Sequence, residues 1–251
     1  MSKTNKIKTT KRKRPRKPTR PADPWGSSLD KLWDWDPDGA NLLMRFALNP
    51  WNSGILPRRE IELISLALHC ACTSLDETGT RRHIRAALKA GATRDEILLV
   101  LKCGVGLAVH SCSLGAPILI EEMRTAGVGL SNVAKPETPA CDAMRAIGQW
   151  NSAWDPFYEL SPLWTDQFFA FGANIYRSGI FTPRFMELIS IAFDASVTHM
   201  YAPGTRRHIR GALKAGATPE EIMTVLQLCV SMGVQACAKG VPILAEELKR
   251  G

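Results

Sequence analysis

The chain contains an internal repeat with a constant offset of 125 residues. Residues 59–122 align with residues 184–247 without insertion or deletion. Between residues 58 and 126, 34 of 69 positions are identical to the residue found 125 positions later. Solenoid repeats have periods of about 20 to 50 residues, so a repeat of this length indicates a duplicated domain. Residues that both copies keep are therefore candidates for the shared fold or the shared chemistry.

The repeat predicts two similar domains joined by a linker. We assign copy one to residues 29–126, the linker to 127–153 and copy two to 154–251. Hydrophobic residues make up 45% of the chain, which is enough for a core in each half. We find no apolar run of the roughly 18 or more residues that a membrane span requires, and we expect no membrane contact.

The positive charge is concentrated at the N-terminus. The net charge is +8, but residues 1–20 contain ten Lys or Arg and no acid, so the remainder carries a net charge of −2. Residues 1–28 are predicted to be a disordered basic tail, whose Lys11-Arg12-Lys13-Arg14 run suits a polyanion. A solubilising arm is the alternative. The tail lacks the apolar stretch of a secretory signal, and the chain has seven cysteines, so we expect a reducing, cytoplasmic location.

Helix signals occur at matched places in both copies. An apolar helix is predicted over 59–72 and again over 184–197, each followed by a helix that Thr80 or Thr205 would cap. Capping boxes, in which a Thr is followed three residues later by Glu, open the next helices at Thr93 and Thr218. We find no alternating strand pattern and no hairpin signal. The fold is predicted to be all-α, with two tandem similar helical domains.

Each copy keeps one Glu and one His that could exchange protons. Glu62 and Glu187 lie inside the apolar helix, and His83 and His208 lie at the third residue of the helix that follows. The positive end of a helix disfavours an imidazolium, so a neutral, proton-accepting ring is expected. Burial shifts the pKa values of such groups toward working pH, which favours a proton relay. The alternatives are a solvated Glu and a His that only hydrogen-bonds the backbone.

Basic residues flank each histidine, and metal-ligand spacing is not shared. Arg82 and Arg207, each following another Arg, suit a carboxylate or other anion, with surface salt bridges as the alternative. In copy two, Asp194 occupies the position of His69, and Gln235 occupies the position of His110. These differences weaken a metal interpretation, and we predict no metal site.

One string of residues resembles a known family. Both copies carry Glu-Leu-Ile-x-x-Ala and then His-Ile-Arg-x-Ala-Leu-Lys-Ala-Gly-Ala-Thr-x-x-Glu-Ile, over 58–122 and 183–247. This string resembles the carboxymuconolactone decarboxylase family, which is related to alkylhydroperoxidase D. The resemblance implies an all-α fold of the alkylhydroperoxidase D-like type, no cofactor, and a homo-oligomer such as a trimer or a hexamer-like ring.

The resemblance also implies roles for site residues. The family's Glu and His correspond to Glu62 and His83 in copy one, and to Glu187 and His208 in copy two. The decarboxylase branch acts on a small carboxylated lactone, and Arg82 or Arg207 would stabilise the charge left by CO₂ while the His protonates carbon. Copy two is preferred because Tyr201 adds a hydroxyl donor there.

The peroxidase branch of the superfamily has a Cys-x-x-Cys just before the His. The matching residues here are Asp76 and Gly79 in copy one, and Tyr201 and Gly204 in copy two. A thiolate nucleophile is therefore missing in both copies, which disfavours an alkylhydroperoxidase D-like peroxidase. A decarboxylase or lactone-processing enzyme is the first hypothesis. A non-catalytic oligomeric protein that binds a polyanion through its tail is the other.

Overall fold

The computed structural model describes residues 20–130 and 136–250. Over these residues the chain forms α-helices and short 3₁₀ turns and has no strand, which confirms the all-α prediction. The helices in chain order are α1 (Asp30–Trp35), α2 (Pro37–Ala47), α3 (Asn49–Asn52), α4 (Arg58–Cys70), α5 (Glu77–Lys89), α6 (Arg94–Gly106), α7 (His110–Thr125), α8 (Pro139–Ala146), α9 (Asp155–Leu160), α10 (Pro162–Tyr176), α11 (Pro183–Ala195), α12 (Ala202–Lys214), α13 (Pro219–Ser231) and α14 (Val234–Glu247).

The order of helices repeats as the sequence predicts. Helices α4 to α7 recur as α11 to α14, and α1 recurs as α9. Helices α2 and α3 together correspond to the single helix α10. Helix α8 lies inside the region predicted to be a linker and packs against α10. The tandem arrangement of two similar helical copies is thus present.

The chain divides into two compact units that do not follow the copy boundaries. One unit comprises residues 1–46 and 234–251, and the other comprises residues 47–233. In the first unit, α1 and the preceding 3₁₀ turn (Gly26–Leu29) pack on α14. In the second unit, α9 packs on α7. Because α1 is equivalent to α9 and α14 to α7, the opening helix of each copy packs on the closing helix of the other copy.

Both copies contribute to one core in the larger unit. Helix α4 packs on α5, α6 and α11, and α11 packs on α12 and α13. Leu63 and Ile64 of α4, and Leu188 and Ile189 of α11, are fully buried in the same cluster. The expectation of a separate core in each half is wrong, because α4 buries every residue from Ile61 to His69 and needs cover on all sides.

A contact between equivalent residues marks how the copies meet in this unit. The Oγ1 atoms of Thr73 and Thr198, which are 125 positions apart, lie 3.1 Å from each other. Two equivalent atoms meet in this way when they lie beside a local two-fold axis. Helices α4 and α11, which precede these threonines, pack against each other. Within this unit, the parts of the two copies are therefore arranged like the subunits of a dimer.

Some predicted helix boundaries need correction. Helices α5 and α12 begin at Glu77 and Ala202, three residues before the predicted caps Thr80 and Thr205. The amide of Thr80 already bonds the carbonyl of Asp76, so Thr80 lies inside the first turn. The capping boxes that open α6 at Thr93 and α13 at Thr218 are confirmed, each with both reciprocal hydrogen bonds.

Residues 1–19, including the proposed polyanion-binding run 11–14, lie outside the described residues. Residues 20–28 were expected to be disordered but are ordered. The Asp23 carboxylate accepts backbone N–H bonds from Trp25 and Gly26, and Trp25 and Leu29 are buried. The burial of these two apolar side chains offsets the entropy cost of ordering this segment.

Two stretches pass a length and composition test for a membrane span, which the sequence expectation missed. They are Arg94–Thr125 and Pro219–Glu247, in which few charged residues fall within an 18-residue window. The same test is passed by helices of many proteins that meet no membrane, so it is weak evidence. Several large apolar side chains on these stretches, among them Val105 and Val230, are more than half exposed.

Candidate active site

The acid–base pair of copy one is closed from solvent. Helices α4 and α5 bring the Glu62 Oε2 atom to 2.7 Å from His83 Nδ1. The other carboxylate oxygen accepts hydrogen bonds from Trp51 Nε1 at 3.0 Å and Arg58 Nε at 2.6 Å. The side chains of Glu62 and His83 are 0% and 3% exposed. The solvated alternative for this Glu is therefore wrong.

The partners of Glu62 keep it ionised. Burial raises the pKa of Glu62, but the hydrogen bonds from His83 and Trp51 and the charge of Arg58 outweigh burial. The net pKa of Glu62 lies below its ordinary value. Because Trp51, Arg58 and His83 already bind both oxygens of this carboxylate, no oxygen is left to contact a substrate.

A second pair lies beneath the first in copy one. His69 Nδ1 is 2.8 Å from Asp76 Oδ2, and the His69 ring stacks on that of His83 at 4.9 Å. Burial, with the nearby charge of His83, lowers the pKa of His69 to about 4. Gly79 passes so close that an added Cβ would lie 2.2 Å from His69 Nδ1. A cysteine at this position, as in the peroxidase branch, does not fit.

The acid–base pair of copy two is more accessible. Glu187 Oε2 lies 2.6 Å from His208 Nδ1, and the side chains are 23% and 9% exposed. Arg207 contributes a guanidinium nitrogen 3.0 Å from His208 Nε2, on the opposite side of the ring. A guanidinium can only donate, so Nε2 accepts and the ring proton sits on Nδ1, from where it is donated to Glu187.

The predicted position of the two histidines at the start of their helices is wrong. His83 and His208 are the seventh residues of α5 and α12, not the third, so they lie beyond the positive end of the helix. In copy two, hydrogen bonds on both ring nitrogens fix the orientation of the His208 ring.

Asp194 adds a third titratable group beside His208. Its Oδ2 atom is 3.7 Å from His208 Nε2 and is buried without a hydrogen-bond partner. Burial raises the pKa of Asp194 to about 6, although the charges of His208 and Arg207 oppose this shift. An added Cβ on Gly204 would lie 1.9 Å from the same oxygen. This carboxyl is therefore able to exchange a proton near neutral pH.

Two further histidines lie next to Asp194. His110 Nδ1 is 2.7 Å from His199 Nε2 and 3.7 Å from Asp194 Oδ1. The Tyr201 ring, predicted to offer a hydroxyl to substrate, stacks on His110 with 3.8 Å between ring centroids. Sequence reasoning missed this group because it gave weight only to residues that both copies share. The differences at positions 110 and 194 were the signal.

The predicted arginines occupy different surroundings. Arg207 reaches both His208 and the face of Trp154, whose ring centroid lies 5.6 Å from the guanidinium carbon. Arg82 lies on α5 and lines an open groove of about 510 Å³, with Glu77, Thr78, Arg81, Arg85, Ala86 and Lys89. That groove does not include Glu62 or His83. Arg207 is joined to its histidine by a hydrogen bond.

The fold and this site define a duplicated, all-helical class of protein with one hydrogen-bonded Glu–His pair in each copy. The chain belongs to the carboxymuconolactone decarboxylase family, whose model matches residues 37–105 and 162–246. It is also similar to a solved structure from Burkholderia xenovorans LB400, provisionally assigned as a gamma-carboxymuconolactone decarboxylase subunit. The identity is 32%, the TM-score is 0.81, and the match covers 90% of this chain and 92% of that one. None of the curated proteins matches.

Proposed function

We propose that the protein is an acid–base enzyme that decarboxylates, or otherwise processes, a small carboxylated lactone or a related intermediate of aromatic degradation. The observation that supports this is the hydrogen-bonded chain Glu187–His208–Arg207, which places a carboxylate, a proton carrier and a cation in line. The family and the similar structure support the same chemical class.

The geometry suggests how the groups would share the reaction. A substrate carboxylate attracts Arg207 and frees His208 Nε2, which then takes a proton from solvent while Nδ1 stays bonded to Glu187. Loss of CO₂ leaves the bonding electron pair on the substrate as an enolate. Arg207 stabilises that charge, and His208 delivers its proton to carbon. Glu187 holds the ring in place and stabilises its charged form.

Copy two is the proposed active copy. Its Glu187 is partly exposed, whereas Glu62 is fully enclosed by Trp51, Arg58 and His83. We assign Glu62 and His83 a structural role, with Arg82 as a surface cation and Tyr201 as a wall of the site. This ranking follows from access to solvent, since a closed pair cannot meet a substrate.

The matched variants His208→Gln and His83→Gln test this assignment. Release of CO₂ from a panel of small carboxylated lactones is measured for each. Loss of a general acid–base residue costs about 10² to 10⁴ in turnover, so His208→Gln should lose that much. His83→Gln should change turnover far less, and its effect should be on thermal stability. Equal loss in both variants, or none in either, would contradict the assignment.

A hydroperoxide in the same panel separates this function from peroxidase activity. Burial raises the pKa values of Cys70 and Cys103 to about 12, so neither thiol is a ready nucleophile. We predict weak hydroperoxide turnover that survives Cys70→Ser combined with Cys72→Ser. Strong turnover that disappears in the double variant would favour the peroxidase instead.

We further propose that the protein forms a cytoplasmic homo-oligomer, such as a trimer or a hexamer-like ring. Both copies leave the same large apolar side chains about half exposed, including Leu98 and its equivalent Met223, and Val105 and its equivalent Val230. Equivalent apolar patches on a pseudo-symmetric chain suit a symmetric assembly. Light scattering at micromolar concentration should give a multiple of 27.6 kDa, and a monomer would contradict the proposal. The seven free cysteines support the cytoplasmic location.

A further inference from the structure

One cluster of potential metal ligands combines His110 of copy one with Asp194 and His199 of copy two. His110 opens α7, Asp194 lies near the end of α11, and His199 lies in the loop between α11 and α12. One ligand atom from each lies within 4.8 Å of the others. The equivalent positions hold Gln235, His69 and Ser74, so the cluster arises from three separate differences between the copies.

The chemistry of these donors is selective. Two imidazoles and one carboxylate, with further positions open, suit divalent first-row transition metals. The Asp194 Oδ2 atom is buried without a hydrogen-bond partner, which is costly for a carboxylate and is relieved by a bound cation. In copy one, His69 occupies the position of Asp194, and it is hydrogen-bonded to Asp76 Oδ2 at 2.8 Å.

We propose that His110, Asp194 and His199 bind one divalent first-row transition-metal ion per chain. His110 Nδ1 and His199 Nε2 are 2.7 Å apart, close to the roughly 3 Å between two nitrogens that each lie about 2.1 Å from one metal at a right angle. The ion replaces the hydrogen bond that joins the two rings. This revises the sequence-based prediction of no metal, and it does not depend on the proposed decarboxylation.

The supporting side chains are already in place. Tyr201 stacks on the His110 ring and fixes its orientation. His208 Nε2 lies 3.7 Å from Asp194 Oδ2. The same nitrogen accepts a hydrogen bond from Arg207, which fixes the His208 ring. A metal at the cluster therefore lies beside the acid–base pair, on the face of His208 that is not bonded to Glu187.

Titration of the chelator-treated full-length protein with Zn²⁺ in a calorimeter tests the proposal. We expect one ion per chain, and His199→Ala and Asp194→Asn should each weaken binding by at least about 10-fold, the effect that outer-shell changes alone can reach. His69→Gln, at the position equivalent to Asp194, is the matched control and should bind as the wild type does. Because His199 lies in a loop, that variant decides the question if Asp194→Asn fails to fold.

Co²⁺ absorption identifies the donors independently of activity. Nitrogen and oxygen donors from the cluster give only weak visible bands. Strong thiolate-to-cobalt bands would assign the ion to cysteine and overturn the proposal. So would an absence of binding, or binding that His199→Ala leaves unchanged.

Discussion

Gly211 lies directly against the Glu187 carboxylate. A Cβ at this position would be 2.7 Å from the carboxyl carbon and 2.8 Å from both oxygens. Copy one has Ala86 here, and its Glu62 binds Trp51 and Arg58 as well as the histidine. The absence of a side chain at Gly211 therefore leaves room for the carboxylate that bonds His208.

We predict that Gly211→Ala displaces the Glu187 carboxylate and lowers decarboxylation by about 10- to 10²-fold, as expected for a small misplacement of catalytic groups. Gly172→Ala is the control, because nothing lies within 4 Å of a Cβ there. That variant should keep full turnover and unfold no more easily. Full turnover in Gly211→Ala would show that the position of this carboxylate does not limit the reaction.

His69 should make stability depend on pH. Its pKa is about 4 in the folded chain, against 6.5 for a free side chain, so the unfolded chain takes up the proton first as pH falls. The free energy of unfolding is then complete above pH 6.5 and falls between pH 6.5 and pH 4. The loss from this residue reaches about 3 kcal/mol. Urea unfolding across this range should show the decline, and His69→Gln should reduce its slope.

Sequence reasoning paired the right residues in each copy but assigned surroundings less well. Glu62 with His83, and Glu187 with His208, were predicted because both copies retain them. The Asp194 cluster was not predicted, because His110 is distant in the chain from Asp194 and His199 and only tertiary packing brings it to them. Thr80 was chosen as a cap because its side chain suits that role, whereas the backbone carbonyl of Asp76 in fact starts the turn.

At the scale of single helices, a threonine that caps a helix can be distinguished from a threonine that only lies near the helix start. Thr218 accepts the Glu221 amide at the start of α13, so Thr218→Ala should cost about 1 kcal/mol of unfolding free energy. Thr205 lies inside α12, where its hydroxyl only bonds the Tyr201 carbonyl at 3.0 Å. Thr205→Ala should be nearly neutral. Chemical denaturation measures both, and an equal loss would restore Thr205 as a cap.

The types and order of the helices were predictable, but their packing partners were not. Periodicity and capping boxes report local structure, and they gave the correct starts of α6 and α13. That α1 packs on α14, and α9 on α7, involves helices from different copies. The sequence shows only that each of these helices has an apolar face. Local sequence patterns do not indicate which copy packs against that face.

Across the whole molecule, the contact between Thr73 and Thr198 offers a direct test of the pseudo-symmetric arrangement. Their Oγ1 atoms are 3.1 Å apart, so Thr73→Cys with Thr198→Cys should form an intramolecular disulfide on mild oxidation. Closing so long a loop should raise the free energy of unfolding by up to about 4 kcal/mol. Peptide mass mapping detects the link, and either single variant is the control. Failure of the pair to cross-link would contradict the local two-fold axis.

The exchange of opening helices between copies has a consequence for chain continuity. A cut between Leu130 and Pro136 leaves α1 on the first fragment and its partner α14 on the second, and likewise divides α7 from α9. The shared core divides the same way, with α4 on one piece and α11 on the other. Neither piece holds a complete set of partners, so the nicked protein should stay together as a complex until it unfolds. The covalent connection between the copies sets their ratio at one to one. The contacts between helices of different copies keep the copies associated.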